Sequence, residues 1–106
     1  MKVTANYSAG RLTIYLSGEL DHHSAREGLG EIDQLLDEYM PRDAVLDMSG
    51  LTFMDSAGLA LILKTERRMR RSGGRAAIAN PARQPSRVLE ASGIERKIPV
   101  IGGSRT

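Results

Sequence analysis

Phe53-Met54-Asp55-Ser56-Ala57-Gly58-Leu59 is the stretch whose reading decides the fold. An apolar, strand-like segment ends there in an acid and a hydroxyl, and helical spacing begins at once. Upstream, Ala44-Val45-Leu46-Asp47-Met48 is a short buried-type run. Downstream, Leu59, Ile62 and Leu63, continued by Glu66 to Met69, step at helical intervals. Ser56 therefore sits between two core elements, held firmly yet within reach of solvent. The first N–H groups of a helix have no intrahelical partner, and with the positive end of the helix dipole they stabilise an anion. That places Ser56 well to carry a phosphate.

Towards the N-terminus, Val3 to Ser8 and the alternation of Leu12, Ile14 and Leu16 with Arg11, Thr13 and Tyr15 predict a two-stranded hairpin around an Ala9-Gly10 turn. After Gly18-Glu19-Leu20-Asp21, the positions Ala25, Leu29, Ile32, Leu36 and Tyr39 form one apolar stripe of an amphipathic helix. Ser24 and Glu27 have the spacing of a capping box for it. Gly28 and Gly30 each weaken it by roughly 1 kcal/mol relative to alanine, and Pro41 ends it. Towards the C-terminus, the helix that starts at Ser56 is expected to run to about Arg71 and to stop at Gly73-Gly74. Arg75 to Ala79 reads as a fourth strand. A short helix is expected from about Pro85, because proline suits a first helical position, with Ser92-Gly93-Ile94 closing it. Lys97 to Ile101 reads as a last strand.

The order β-β-α-β-α-β-α-β predicts an α/β domain: a mixed, mainly parallel sheet of four to five strands covered by about three helices. The folded domain is expected over residues 1–101, with 102–106 as a tail. In open α/β sheets, sites gather where strands end and helices begin. Asp21 and Ser56 both fall at such junctions and are expected to share a surface.

Composition narrows the functions. With 106 residues, 41% hydrophobic and 26% charged, the chain suits one domain with a modest core. Without cysteine it has no disulfide, thiol catalysis or thiolate metal site. Its longest apolar run, Leu59 to Leu63, is too short to span a bilayer, and Met1 to Gly10 lacks a secretory core, so a cytoplasmic protein without a membrane role is expected. The net charge of +2 is concentrated in Lys64, Arg67, Arg68, Arg70, Arg71 and Arg75. Cations at the end of a helix complement its dipole and solvate an outward face, which accounts for the cluster without a ligand; docking of an acidic protein is the functional alternative. Direct nucleic-acid binding has little support: the aromatic residues are Tyr7, Tyr15, Tyr39 and Phe53, the last expected to be buried, and no reader motif accompanies the arginines.

Other chemistries fit the residues less well. Ser56 with Gly58 partly matches the G-x-S-x-G elbow of serine hydrolases, but Met54 fills the first glycine position, and that order requires a histidine after the serine. The only histidines, His22 and His23, precede it. Being consecutive at a helix start, they also point in different directions, and no third metal ligand stands at a recognisable spacing. No phosphate-binding G-x-x-x-x-G-K-[ST] loop occurs, and no cofactor is implied. Asp55 is a favoured helix cap, contributing about 1 kcal/mol whether or not it has another role. Gly58, in the first turn, removes side-chain bulk beside the hydroxyl, as expected where a partner backbone or a kinase cleft comes close.

Gly18-Glu19-Leu20-Asp21-His22-His23 and Phe53-Met54-Asp55-Ser56-Ala57-Gly58-Leu59 resemble the two signature segments of bacterial anti-sigma factor antagonists, which are STAS-domain proteins. The similarity runs from about Met1 to Ile98 and includes Gly73-Gly74 and Ala91-Ser92-Gly93-Ile94. The Glu19 to His23 run is most similar to the sporulation stage II branch; a general stress-response antagonist or a STAS scaffold module is the alternative within the fold. The resemblance implies that Ser56 is the phosphoacceptor and that Asp21, His22, Asp55, Ala57 and Gly58 surround it on the partner-binding face. It implies as partners an anti-sigma factor that doubles as an ATP-dependent serine kinase, and a serine phosphatase that resets Ser56. Two departures stand out. Ala57 replaces a second serine or threonine frequent in relatives, which leaves Ser56 the only hydroxyl in the motif, and after the last expected strand, where relatives commonly add a final helix, only the few polar residues Gly102 to Thr106 follow.

Overall fold

In a computed structural model, which describes residues 1–103, the chain forms five strands and three helices. The strands are β1 (Lys2–Ser8), β2 (Arg11–Leu20), β3 (Asp43–Met54), β4 (Arg75–Ala79) and β5 (Val100–Ile101). The helices are α1 (Ala25–Tyr39), α2 (Ser56–Arg71) and α3 (Arg83–Ser92), followed by a 3₁₀ turn, Ile94–Arg96. The strands lie in one sheet in sequence order, β1 antiparallel to β2 and every later pair parallel. This is the expected mixed, mainly parallel sheet. Ser104 to Thr106 of the expected tail lie outside the described residues.

The alternation of β2 sets the layers. Leu12, Ile14, Leu16 and Leu20 are almost wholly buried while Arg11 and Tyr15 are exposed. Their buried face continues through Leu46 and Met48 of β3 and Ile78 of β4. Ile32 and Leu36 of α1, Leu61, Ile62 and Met69 of α2, and Leu89 of α3 close over it. Each such side chain contributes about 1.5–3 kcal/mol when withdrawn from water. The hairpin turn is the expected Ala9-Gly10, with positive φ at both residues (51° and 83°), as a type I′ turn requires.

Several boundaries differ from expectation. β3 runs to Met54, six residues past the strand read from its apolar run, because Ser17 to Leu20 of β2 continue to pair with Gly50 to Met54. β4 pairs only with Asp43 to Asp47 of β3, and Phe53 is 40% exposed rather than buried, because it and its register partner Glu19 lie on the face opposite the buried Leu20 and Met54 pair. α3 starts at Arg83, with Pro85 in its first turn, where the missing N–H is not needed. The last strand shrinks to Val100–Ile101 because Ile94 to Arg96 coil into the 3₁₀ turn. Tyr39 leaves the α1 stripe: it is 37% exposed and stacks on Tyr7 with ring centroids 5.0 Å apart.

The basic cluster is substantially engaged within the chain. Arg68 joins α2 to α1 by hydrogen-bonding the Asp33 carbonyl and the carboxylates of Asp33 and Asp37. Arg70 faces Glu66 at 3.7 Å and Arg75 reaches Asp43 at 3.2 Å.

Candidate functional site

Leu20 and Met54 are register partners at the C-terminal ends of the parallel strands β2 and β3, so the next residues, Asp21 and Asp55, leave the sheet side by side. Asp55 N–H donates to the Leu20 carbonyl at 3.2 Å, which fastens the two exits together. Both carboxylates then turn onto backbone N–H groups, the short-range bonding that makes aspartate a favoured helix starter.

At the first exit Asp21 Oδ1 accepts from the N–H groups of His23 and Ser24, each at 3.0 Å. Ser24 Oγ accepts from Asp21 N–H at 3.1 Å and donates to the Glu19 carbonyl at 3.0 Å. The Ser24–Glu27 capping box is not formed, because the Ser24 hydroxyl is turned back into this loop and Asp21 satisfies the N–H groups instead. The Ser24 N–H bond, with those from His23 and the Ser24 hydroxyl, outweighs desolvation and lowers the Asp21 carboxyl below its ordinary value.

At the second exit Asp55 is the N-cap of α2 and its Oδ1 accepts from Ala57 N–H at 2.8 Å. Gly58 N–H reaches the Asp55 carbonyl at 3.0 Å. The cap thus occupies part of the donor set that the sequence offered to an anion. Ser56 is the first residue of the helix; it is exposed, and its hydroxyl makes no hydrogen bond among the described residues. His22 Nδ1 lies 3.8 Å from Asp55 Oδ2, and the His22 and His23 rings adjoin at 4.0 Å. Neither histidine hydrogen-bonds Ser56, so the base of a hydrolytic triad is not assembled here. No group of three or more potential metal ligands forms among the described residues.

Gly58 has a different job from the one expected. It is buried, and a β-carbon there would lie 2.2 Å from Met54 Cγ and 3.2 Å from Leu20 Cδ2. The absent side chain lets α2 settle on the strand ends; it does not clear room outward for a partner. Ala57 is half-buried, and with His22 and Ala25 it lines a groove of about 350 Å³ between α1 and α2, rimmed by Arg26 and Lys64.

Sequence reasoning missed Gln84. Its side-chain amide accepts from Met54 N–H at 2.8 Å and donates to the Met54 carbonyl at 3.0 Å. Here β3 has outrun β4, so α3 supplies through one amide the donor and acceptor that a neighbouring strand would give. A glutamine in the first turn of a helix carries no such message in the sequence. Exposed Phe53 stands in the same segment.

The family profile of the STAS domain matches residues 2–104, nearly the whole chain. The chain belongs to the STAS-domain family. This STAS domain is 30% identical over 100 residues to the anti-sigma F factor antagonist of Paenibacillus polymyxa, covering 94% of the chain and 86% of that relative. It is 31% identical over 83 residues to the protein of the same name from Lysinibacillus sphaericus, covering 78% and 71%. Among solved structures it resembles the anti-sigma factor antagonist SpoIIAA in its unphosphorylated form, with a TM-score of 0.78, 25% identity, and 93% and 87% of the two chains covered. The phosphorylated form of SpoIIAA from Bacillus gives 0.70 at 25% identity, with 93% and 90% covered. The fold alone is shared with part of the murine Slc26a9 anion transporter, at a TM-score of 0.76 and 17% identity, covering 93% of this chain and 17% of that one. No helix among the described residues is long and apolar enough to cross a membrane.

Proposed function

We propose that this STAS domain is an anti-sigma factor antagonist switched by phosphorylation of Ser56. Its unphosphorylated face, formed by Ser56 with Asp21, His22, Asp55 and Ala57, docks on an anti-sigma factor that is also a serine kinase. Docking competes with the sigma factor, which is released to start transcription in sporulation. A serine phosphatase restores the bare hydroxyl. The domain acts in the cytoplasm as a binding partner rather than an enzyme, without cofactor and without touching nucleic acid or membrane.

The observation that carries this reading is the state of Ser56: an exposed hydroxyl with no hydrogen bond among the described residues, on a helix start that other groups already hold in place. A phosphate there adds about −1.5 to −2 charges. Asp55 has already taken the Ala57 N–H and brings its own negative charge, with Asp21 at the neighbouring strand exit. A partner surface complementary to a neutral hydroxyl then meets a concentrated negative charge, and misplaced charge at an interface costs several kcal/mol, with about 1.4 kcal/mol for each tenfold in affinity. No refolding is needed.

The test is incubation with ATP and the cognate anti-sigma factor, followed by mass spectrometry of the peptides and titration calorimetry of both forms. Phosphate on Ser56 and a loss of affinity of about a hundredfold are expected. Phosphate on another residue, or equal affinity of the two forms, overturns the proposal. A covalent adduct between Ser56 and a serine-reactive phosphonate would point to a hydrolase instead.

A further inference from the structure

β1 ends the sheet, and no strand pairs with its outer side among the described residues. The hairpin reveals which of its backbone groups are free. Ser8 and Arg11 flank the Ala9-Gly10 turn and form its closing hydrogen-bonded pair, and in an antiparallel ladder such pairs alternate with non-bonded ones. Asn6 with Thr13, Thr4 with Tyr15 and Lys2 with Ser17 therefore exchange hydrogen bonds. Val3, Ala5 and Tyr7 belong to the alternate pairs, so their N–H and C=O groups point away from β2 along the open edge. Proteins ordinarily blunt such edges with charge, proline or a bulge. From Val3 to Ser8 there is no charged residue and no proline, and the pairing with β2 runs without a register shift.

We propose that this edge is the seam of a symmetric dimer: a second copy adds its own β1 antiparallel, with the two-fold axis at Ala5. The free groups are symmetric about that residue. Ala5 pairs with the same residue of the second copy and Val3 with Tyr7, each exchanging two hydrogen bonds. Registers centred on Thr4 or Asn6 keep only two of the three exchanging pairs, those centred on Val3 or Tyr7 keep fewer, and those centred between residues put free groups opposite bonded ones. In the Ala5 register no like charges meet, since Lys2 falls opposite Ser8. Val3 against Tyr7 is a β-branched and aromatic pair of the kind that stabilises sheets. The seam also adjoins the stacked Tyr7 and Tyr39, which are 42% and 37% exposed. A one-strand seam is smaller than the roughly 1,200–2,000 Å² of stable interfaces, so the dimer dissociates on dilution. β2 lies between this edge and β3, the strand that leads to Ser56, which leaves that site free in both copies.

Sedimentation equilibrium of the full chain from micromolar to millimolar concentration is expected to show a reversible monomer–dimer equilibrium. Ala5→Pro removes an outward N–H that β2 does not use; the variant should keep the circular dichroism and unfolding midpoint of the parent and sediment as a monomer. Ala5→Glu and Ala5→Lys put like charges on the axis, and each should weaken self-association by about tenfold or more. Mixed together, they should form a heterodimer. A parent that stays monomeric throughout, a folded Ala5→Pro variant that still dimerises, or a Glu and Lys mixture that gains nothing over the separate variants each overturns the seam.

Discussion

The two strand-to-helix exits that build the site use the same residue types to different ends. At the β2–α1 exit an aspartate takes two backbone N–H groups and a serine follows three residues later, its hydroxyl bonded to Asp21 N–H and the Glu19 carbonyl. At the β3–α2 exit an aspartate caps the helix alone, and the adjacent serine keeps its hydroxyl free. One serine is structural and the other is left over. A hydroxyl that structure does not use can change its chemistry without unfolding the domain.

Each side of this contrast can be pushed. The largest effect expected is on binding: Ser56→Asp should lower affinity for the anti-sigma factor by about a hundredfold, whereas Ser56→Ala should bind as the parent does and resist phosphorylation. Calorimetry with the cognate partner measures both. Next comes Gly58→Ala, which should destabilise by about 1–3 kcal/mol in denaturant unfolding, because the clash with Met54 exceeds the gain in helix propensity. Ser24→Ala should cost about 1 kcal/mol by the loss of its two loop bonds. The matching Ser56→Ala change should stay within about 0.5 kcal/mol of the parent; equal costs would erase the contrast between the two serines.

The smallest effect is the dependence on acid. The Asp21 carboxyl titrates lower in the folded chain than its ordinary value of 3.8. Its contribution is therefore complete above that value and fades as pH falls through the lower, folded one. The stability difference between the parent and Asp21→Asn should be constant near neutrality and shrink below about pH 4. A difference that grows in acid would reverse the assigned direction.

Much of this was legible because the local signals agree. Alternation in β2, the apolar stripe of α1, and Gly73-Gly74 after α2 each point to the same elements the structure contains. The α2 start was readable because its cap lies in the residue just before the helix. Illegible features depend on which element outruns which. Gln84 matters because β4 stops opposite Asp47 and leaves Met54 with a strand on its β2 side alone. Gly58 could be seen as special, but whether its bare side faces in or out depends on the rotation of α2 over Met54. The α1 cap was misread because two acceptors, Ser24 and Asp21, compete for the same donors and local spacing does not say which wins.

Gln84 also couples two parts of the chain that lie 30 residues apart. Because its amide grips main chain rather than side chain, the helix that carries it and the segment leading to Ser56 behave as one splinted piece. A change of residue at position 54 would leave that grip intact, while loss of the glutamine amide would let the segment flex. The pose of the Ser56 hydroxyl is thus set in part from a helix well downstream of it in the chain.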